Sequence, residues 1–100
     1  MESIAPTEKK WMEYETVFKA LSDRNRLKII FNLCAKEMCA RELLQLLNIS
    51  QPTLSHHMKY LNESGLVVSR KEGRSVYYSI CTDIFHEMQD LVVDMLKWCE

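Results

Sequence analysis

Residues 49–65 read ISQPTLSHHMKYLNESG, and this stretch decides how the rest of the chain is arranged. Ser50 offers a hydroxyl oxygen to the open amides of a following first turn, and Pro52 is tolerated there because its missing N–H had no intrahelical partner. Leu54, Met58 and Leu61 recur at helical spacing and form one apolar stripe. Gln51, Thr53, Ser55, His56, Lys59 and Tyr60 fall outside it, and Gly65 supplies the left-handed stop after about Ser64. The result is a helix with an oily underside and an outer face made of hydrogen-bonding groups.

Working outward, Ala40 to Leu47 places Leu43, Leu44 and Leu47 on one side of a short helix that ends at Asn48 and Ile49, only a few residues before Ser50. Upstream, Asp23 caps a run from Arg24 to Ala35 in which Leu27, Ile30, Phe31 and Cys34 share a face that should be buried. From Thr7 to Leu21, Trp11, Tyr14, Phe18 and Leu21 mark another helical stripe. Downstream, Leu66 to Lys71 and Ser75 to Ile80 are rich in Val, Tyr and Ser and are separated by Glu72, Gly73 and Arg74, a hairpin. A final helix opens with Thr82 or Asp83 as cap and carries Ile84, Phe85, Met88, Leu91, Val92, Met95 and Trp98.

The order α-α-α-α-β-β-α is mainly α (α+β), a helix-turn-helix carrying a β-wing. Residues 1–100 read as a single such domain, with the helix-turn-helix at about 40–64 and the wing at about 66–80. The first and last helices, about 7–21 and 82–98, have more apolar surface than so small a core covers, which predicts that they pair with a second copy as a homodimer interface.

Composition agrees and removes other classes. A chain of 100 residues with 47% apolar and 27% charged side chains, two Gly and two Pro is an ordinary globular domain, too short for a multidomain enzyme. No run approaches the roughly 20 apolar residues of a membrane span, and the opening MESIAPTEKK is polar where a secretory signal is hydrophobic, so the cytoplasm is the expected compartment and no membrane partner is expected. Four cysteines fall short of the roughly 8–10% of a disulfide scaffold and read as thiols. No Gly-rich phosphate loop, Ser-His-Asp arrangement, Cys-x-x-Cys motif or paired-carboxylate site is present, which argues against catalysis.

The net charge of −1 conceals a partition: residues 24–74 sum to +5, and the segments on either side together to −6. A basic middle between acidic ends suits a domain whose centre faces a polyanion. In a helix-turn-helix the second helix enters the major groove with its N-terminal residues at base edges, here Gln51, Thr53, Ser55 and His56. Lys59 is placed one turn on for phosphate, and Arg70, Lys71 and Arg74 flank the wing turn, within reach of backbone or minor groove. Double-stranded DNA is therefore the expected partner.

The stretch FKALSDRNRLKII with CARELLQLLNISQPTLSHHMKYLNESGLVVSRKEGRSVYYSI, running from Phe18 to Ile80 and covering about two-thirds of the chain, resembles the ArsR (arsenic-repressor/SmtB) family of bacterial winged-helix sensors. The resemblance implies a homodimeric repressor that binds an imperfect palindrome and is released by a thiol-reactive inducer: arsenite, As(III), or a soft divalent ion such as Cd, Zn or Pb, with no obligatory cofactor. It also gives Gln51, Ser55 and His56 base and backbone contacts. Arsenite sensors of the family carry a Cys-x-Cys pair at the start of the third helix; here Cys39 keeps the first thiolate and Arg41 stands at the second. A cation cannot ligate a metal ion, so a soft-ion site would have to recruit Cys34, Cys81, Cys99 or a partner's cysteine. Arg41 could instead favour the thiolate of Cys39, which also sits near a helix N-terminus.

Relatives that sense oxidants or polysulfides pair a second-helix cysteine with one on the last helix, which Cys34 and Cys99 resemble loosely, and a thiol-redox or sulfide-responsive repressor is the alternative this suggests. Another family site uses an Asp-x-His pair on the last helix, where this chain has Asp83 and His86; a His86–Asp90 pair one turn apart is the simpler expectation. His56 and His57, about 100° apart on a helix, cannot share one ion, so one should face DNA and the other pack. A winged-helix protein-interaction module without ligand is the alternative of a different class.

Overall fold

The computed structural model describes residues 5–100, so Met1 to Ile4 of the polar opening lie outside the described residues. The chain forms α1 (Glu8–Leu21), α2 (Arg24–Ala35), β1 (Met38–Cys39), α3 (Ala40–Leu47), α4 (Gln51–Glu63), β2 (Val67–Glu72), β3 (Ser75–Ile80) and α5 (Thr82–Cys99). The caps follow local chemistry. Thr7, Asp23 and Ser50 each accept a backbone N–H from three residues on, at 3.2, 3.1 and 3.3 Å. At the other ends, Asn48 and Gly65 take positive φ, 54° and 82°, turning the chain out of α3 and past α4.

The sheet is antiparallel with order β1-β3-β2, so the expected hairpin gains a third, two-residue strand in which Met38 faces Tyr78 and Cys39 faces Tyr77. β2 extends to Glu72, which pairs with Ser75 and leaves Gly73-Arg74 as a two-residue turn, with Gly73 at φ 61°. Leu43, Leu61, Leu66 and Ile29 are fully enclosed, with Leu54, Met58, Val17, Ala20, Leu33, Met38 and Val67 around them. This core lies beneath α4, which packs on α1, α2, α3 and β2.

Burial departs from expectation on α2. Its covered face is Ile29, Ile30 and Leu33, whereas Leu27 and Cys34 are exposed and Phe31 is 80% exposed. The helix is apolar over more of its circumference than one side of a core can cover, and the adjacent stripe turns out to be the inner one. On α1 the covered residues are Val17 and Ala20, with Tyr14 and Leu21 half-buried and Trp11 and Phe18 exposed. α5 starts at Thr82 with Cys81 at its N-cap and no side-chain cap bond, so neither Thr82 nor Asp83 caps it. Met88 and Leu91 are buried, and every residue from Val92 to the end is exposed.

Candidate nucleic-acid interface

α4 presents the predicted outer face. Gln51, Thr53, Ser55, His56 and Lys59 are all exposed, while Leu54, Met58 and Leu61 point into the core. The Thr53 hydroxyl lies 2.8 Å from the Ser50 hydroxyl, so the first turn is tied at its base. The His56 ring meets the Tyr60 ring edge-on at 5.0 Å, and the Arg26 guanidinium lies 4.7 Å from the opposite partner in this stack, the Tyr60 ring centroid. Tyr60, itself faced by Arg26, thus packs against His56, a contact that spacing along the chain did not reveal.

His57 is the packed member of the histidine pair, 6% exposed. Arg26 holds it: one guanidinium nitrogen is 3.1 Å from His57 Nδ1, while Nε donates to the Ala20 carbonyl at 2.7 Å. A guanidinium can only donate, so Nδ1 accepts and the ring is the neutral Nε2–H tautomer. Burial first, then the Arg26 and His56 charges, push the His57 pKa below its ordinary value of 6.5, against the opposing pull of Asp23. Burial would raise the Asp23 carboxyl, but the Arg26 amide it accepts from and the nearby Arg26 charge bring it below its ordinary value. These contacts join the α1–α2 corner to the middle of α4.

A pH dependence follows. A histidine whose folded pKa is depressed stabilises the fold fully above its unfolded value of 6.5, and that contribution fades as pH falls from there toward the folded value. The urea midpoint of the native chain should hold steady above neutrality and drop more steeply below about pH 6.5 than that of His57→Gln. Parallel curves for the two proteins would contradict the neutral assignment.

On the wing, Lys71 and Arg74 are exposed and make no ion pair among the described residues. Arg70, expected within reach of backbone or minor groove, is engaged within the chain. Its guanidinium grips Glu37 in bidentate fashion, at 3.1 and 2.7 Å, also pairs with Glu72, and lies 4.7 Å from the Tyr77 ring centroid. The hydrogen bonds from Arg70 hold the Glu37 carboxyl below its ordinary value. Arg70 braces the wing against the α2–β1 connection through Glu37 and is also tied to Glu72 of its own strand, leaving Lys71 and Arg74 as the wing's cations without an ion pair among the described residues.

The cysteines are separate free thiols: Cys34 and Cys99 exposed, Cys39 and Cys81 half-buried. Cys39 is the N-cap of α3, where Glu42 Oε1 accepts its amide at 3.1 Å. The Cys39 amide and thiol together hold the Glu42 carboxyl below its ordinary value. Among the described residues, no three His, Cys, Asp or Glu side chains of one chain gather to hold a metal ion, and no His86–Asp90 ion pair forms.

α4 thus presents a polar outer face on an apolar bed, beside a braced wing with exposed cations. The signature of the family described as "Bacterial regulatory protein, arsR family" matches residues 23–69. The chain is 46% identical over 70 residues to an arsenical resistance operon repressor of Staphylococcus aureus, covering 70% of this chain and 67% of that one. It is 41% identical over 70 residues to a cadmium resistance transcriptional regulatory protein CadC homolog of S. aureus, covering 69% and 58%. The chain belongs to the ArsR family. Among solved structures of this fold, HlyU from Vibrio cholerae N16961 superposes with a TM-score of 0.74 at 31% identity, covering 94% of this chain and all of that one. As an ArsR-family winged helix, the chain is a transcriptional regulator and not an enzyme. Among the described residues, no helix is long and apolar enough to cross a membrane.

Proposed function

We propose that this ArsR-type repressor acts in the cytoplasm as a homodimer on an imperfect DNA palindrome, and that a thiol-reactive inducer lowers its operator affinity. The observation that carries the DNA half is the exposed row Gln51, Thr53, Ser55, His56 and Lys59 on α4, held rigidly by Leu54, Met58, Leu61 and His57 from beneath. Gln51 is suited to read adenine, and Ser55 and His56 to adapt to several base edges; Lys59, Lys71 and Arg74 contact phosphate, with Arg70 as the brace of the wing. The whole of 1–100 works as one domain, with the helix-turn-helix at about 40–64, the wing at about 66–80 and dimerisation through about 7–21 and 82–98.

Dimerisation is supported by α5. Ile84, Met88, Leu91, Met95 and Trp98 form one continuous stripe whose first three members this chain covers wholly or partly and whose last two it leaves bare, at 48% and 67% exposure. Trp11 of α1 lines the same groove as Met95 and Trp98. A second copy related by a two-fold axis presents the matching stripe.

For the inducer, arsenite or a soft divalent ion (Cd, Zn, Pb) is favoured by the relatives' names, with Cys39, Cys34 and Cys99 as the sulfur donors. Arg41 at the second position of the usual Cys-x-Cys clamp means that any such site joins Cys39 to sulfurs outside α3, including those of a partner. The same replacement favours a thiol-redox release mechanism as the second reading.

One titration tests both halves. Operator affinity should fall on adding arsenite, cadmium or a disulfide oxidant, and Cys39→Ser should blunt the response to whichever is effective. Indifference to all three would remove the sensing half. Lys59→Ala should weaken binding to specific and non-specific duplexes alike and lower the salt slope by about 1, whereas Gln51→Ala should relax preference at one base pair, worth roughly 1–3 kcal/mol. Unchanged binding by Lys59→Ala would move the interface elsewhere.

A further inference from the structure

Between the start of α3, the start of α4 and the wing turn lies an open cavity of about 450 Å³. Arg41 and Arg74 line it from opposite elements, Gln51 and Tyr77 lie on its walls, and Cys39 lies where α3 begins. No aspartate or glutamate contributes to its lining. Neither Arg41 nor Arg74 makes an ion pair among the described residues, although on the same wing Arg70 is matched by two carboxylates. Two arginines without a carboxylate partner lining one cavity give it a positive charge that an anion would offset. Arg is the side chain suited to that task, because its planar fork binds phosphate oxygens in pairs.

We propose that this cavity seats one backbone phosphate of duplex DNA, clamped between Arg41 and Arg74, and that Arg41 is therefore a DNA-contacting residue. The inference rests on the DNA-binding reading above and places a specific phosphate within it. Gln51 shares the cavity wall, so the seated phosphate adjoins the bases that the start of α4 reads, and the clamp sets the register of that reading. Cys39 lines the same cavity, so alkylation of its thiol serves as a reporter of occupancy.

The test combines binding and alkylation. Arg41→Ala should reduce affinity for operator and for unrelated duplex alike, about five- to tenfold, and lower the slope of log affinity against log salt by about 0.9; Arg41→Lys should recover most of both. Arg41 is exposed, and circular dichroism should be unchanged. Iodoacetamide then reports on the seat: the Cys39 sulfur bonds to the methylene carbon, iodide leaves and the thiol proton passes to solvent. Saturating duplex should slow this reaction at Cys39, read by peptide mass, while Cys34, exposed on α2, serves as reference. If Arg41→Ala keeps native affinity and slope while Lys59→Ala loses both, the phosphate seat falls and the DNA-binding face stands. If inorganic phosphate protects Cys39 and duplex does not, the cavity takes a free anion and the proposal is overturned. If the native protein binds no duplex, the DNA-binding reading fails and takes the seat with it.

Discussion

Leu61→Ala is expected to cost about 3 kcal/mol of unfolding free energy, within the roughly 2–5 kcal/mol span of buried leucine truncations. Leu61 has no exposed surface and sits on the inner stripe of α4 between Met58 and the α4–β2 turn. A cavity there is hard to collapse, because α4 is held from α1, α2, α3 and β2 at once. For a domain of this size the loss corresponds to roughly 10–25 °C in melting temperature. Phe31→Ala is the instructive comparison: it removes a larger side chain, yet Phe31 is 80% exposed and the change should stay within about 0.5 kcal/mol at the same protomer concentration. Comparable losses for the two variants would mean that the outer face of α2 is covered in the working protein.

The contrast between Leu61 and Phe31 shows where reading the chain succeeds and where it stops. α4 was legible because every local signal agrees: the Ser50 cap, the proline in the first turn, a single apolar stripe, and a glycine that takes the left-handed conformation the exit requires. α2 was legible as a helix but not in its orientation. Its apolar residues span two adjacent stripes, and periodicity cannot choose between them when neighbouring elements decide which is covered. β1 was invisible for a different reason. Two residues show no alternation, and Met38 and Cys39 become a strand only because β3 offers a second edge to pair with. At the candidate site, the outward residues of α4 followed from the helix period alone. The distinction between Arg70 and Arg74 did not: both are arginines beside one turn, and only the fold brings Glu37 to the first, from 33 residues away in sequence, while leaving the second free. In the sequence Arg41 stands out only for the ligand it replaces, and its sharing a cavity with Arg74 depends on the hairpin folding back over α3.

Met95→Glu is expected to separate the proposed dimer and with it most of the operator affinity. Met95 continues the stripe begun by Met88 and Leu91 but lies beyond the covered part of α5, so the variant's own fold should persist with unchanged circular dichroism. In a two-fold interface the substitution enters twice, placing two carboxylates in an apolar contact where desolvation and mutual repulsion both oppose association. The segment around them is already acidic, with Asp90 and Asp94 exposed on the same helix, which adds to the repulsion. A dimer reads two half-sites about one helical turn apart, and tethering makes the second engagement intramolecular. Loss of the tether should therefore weaken binding to a palindromic duplex by roughly 10²–10⁴-fold, while a duplex carrying one half-site is bound as by native protein. Sedimentation at micromolar concentration should show the native chain at twice the mass of the variant. A native chain that sediments as a protomer yet binds the palindrome tightly would overturn this, because Met95 and Trp98 would then be bare for some reason other than a second copy.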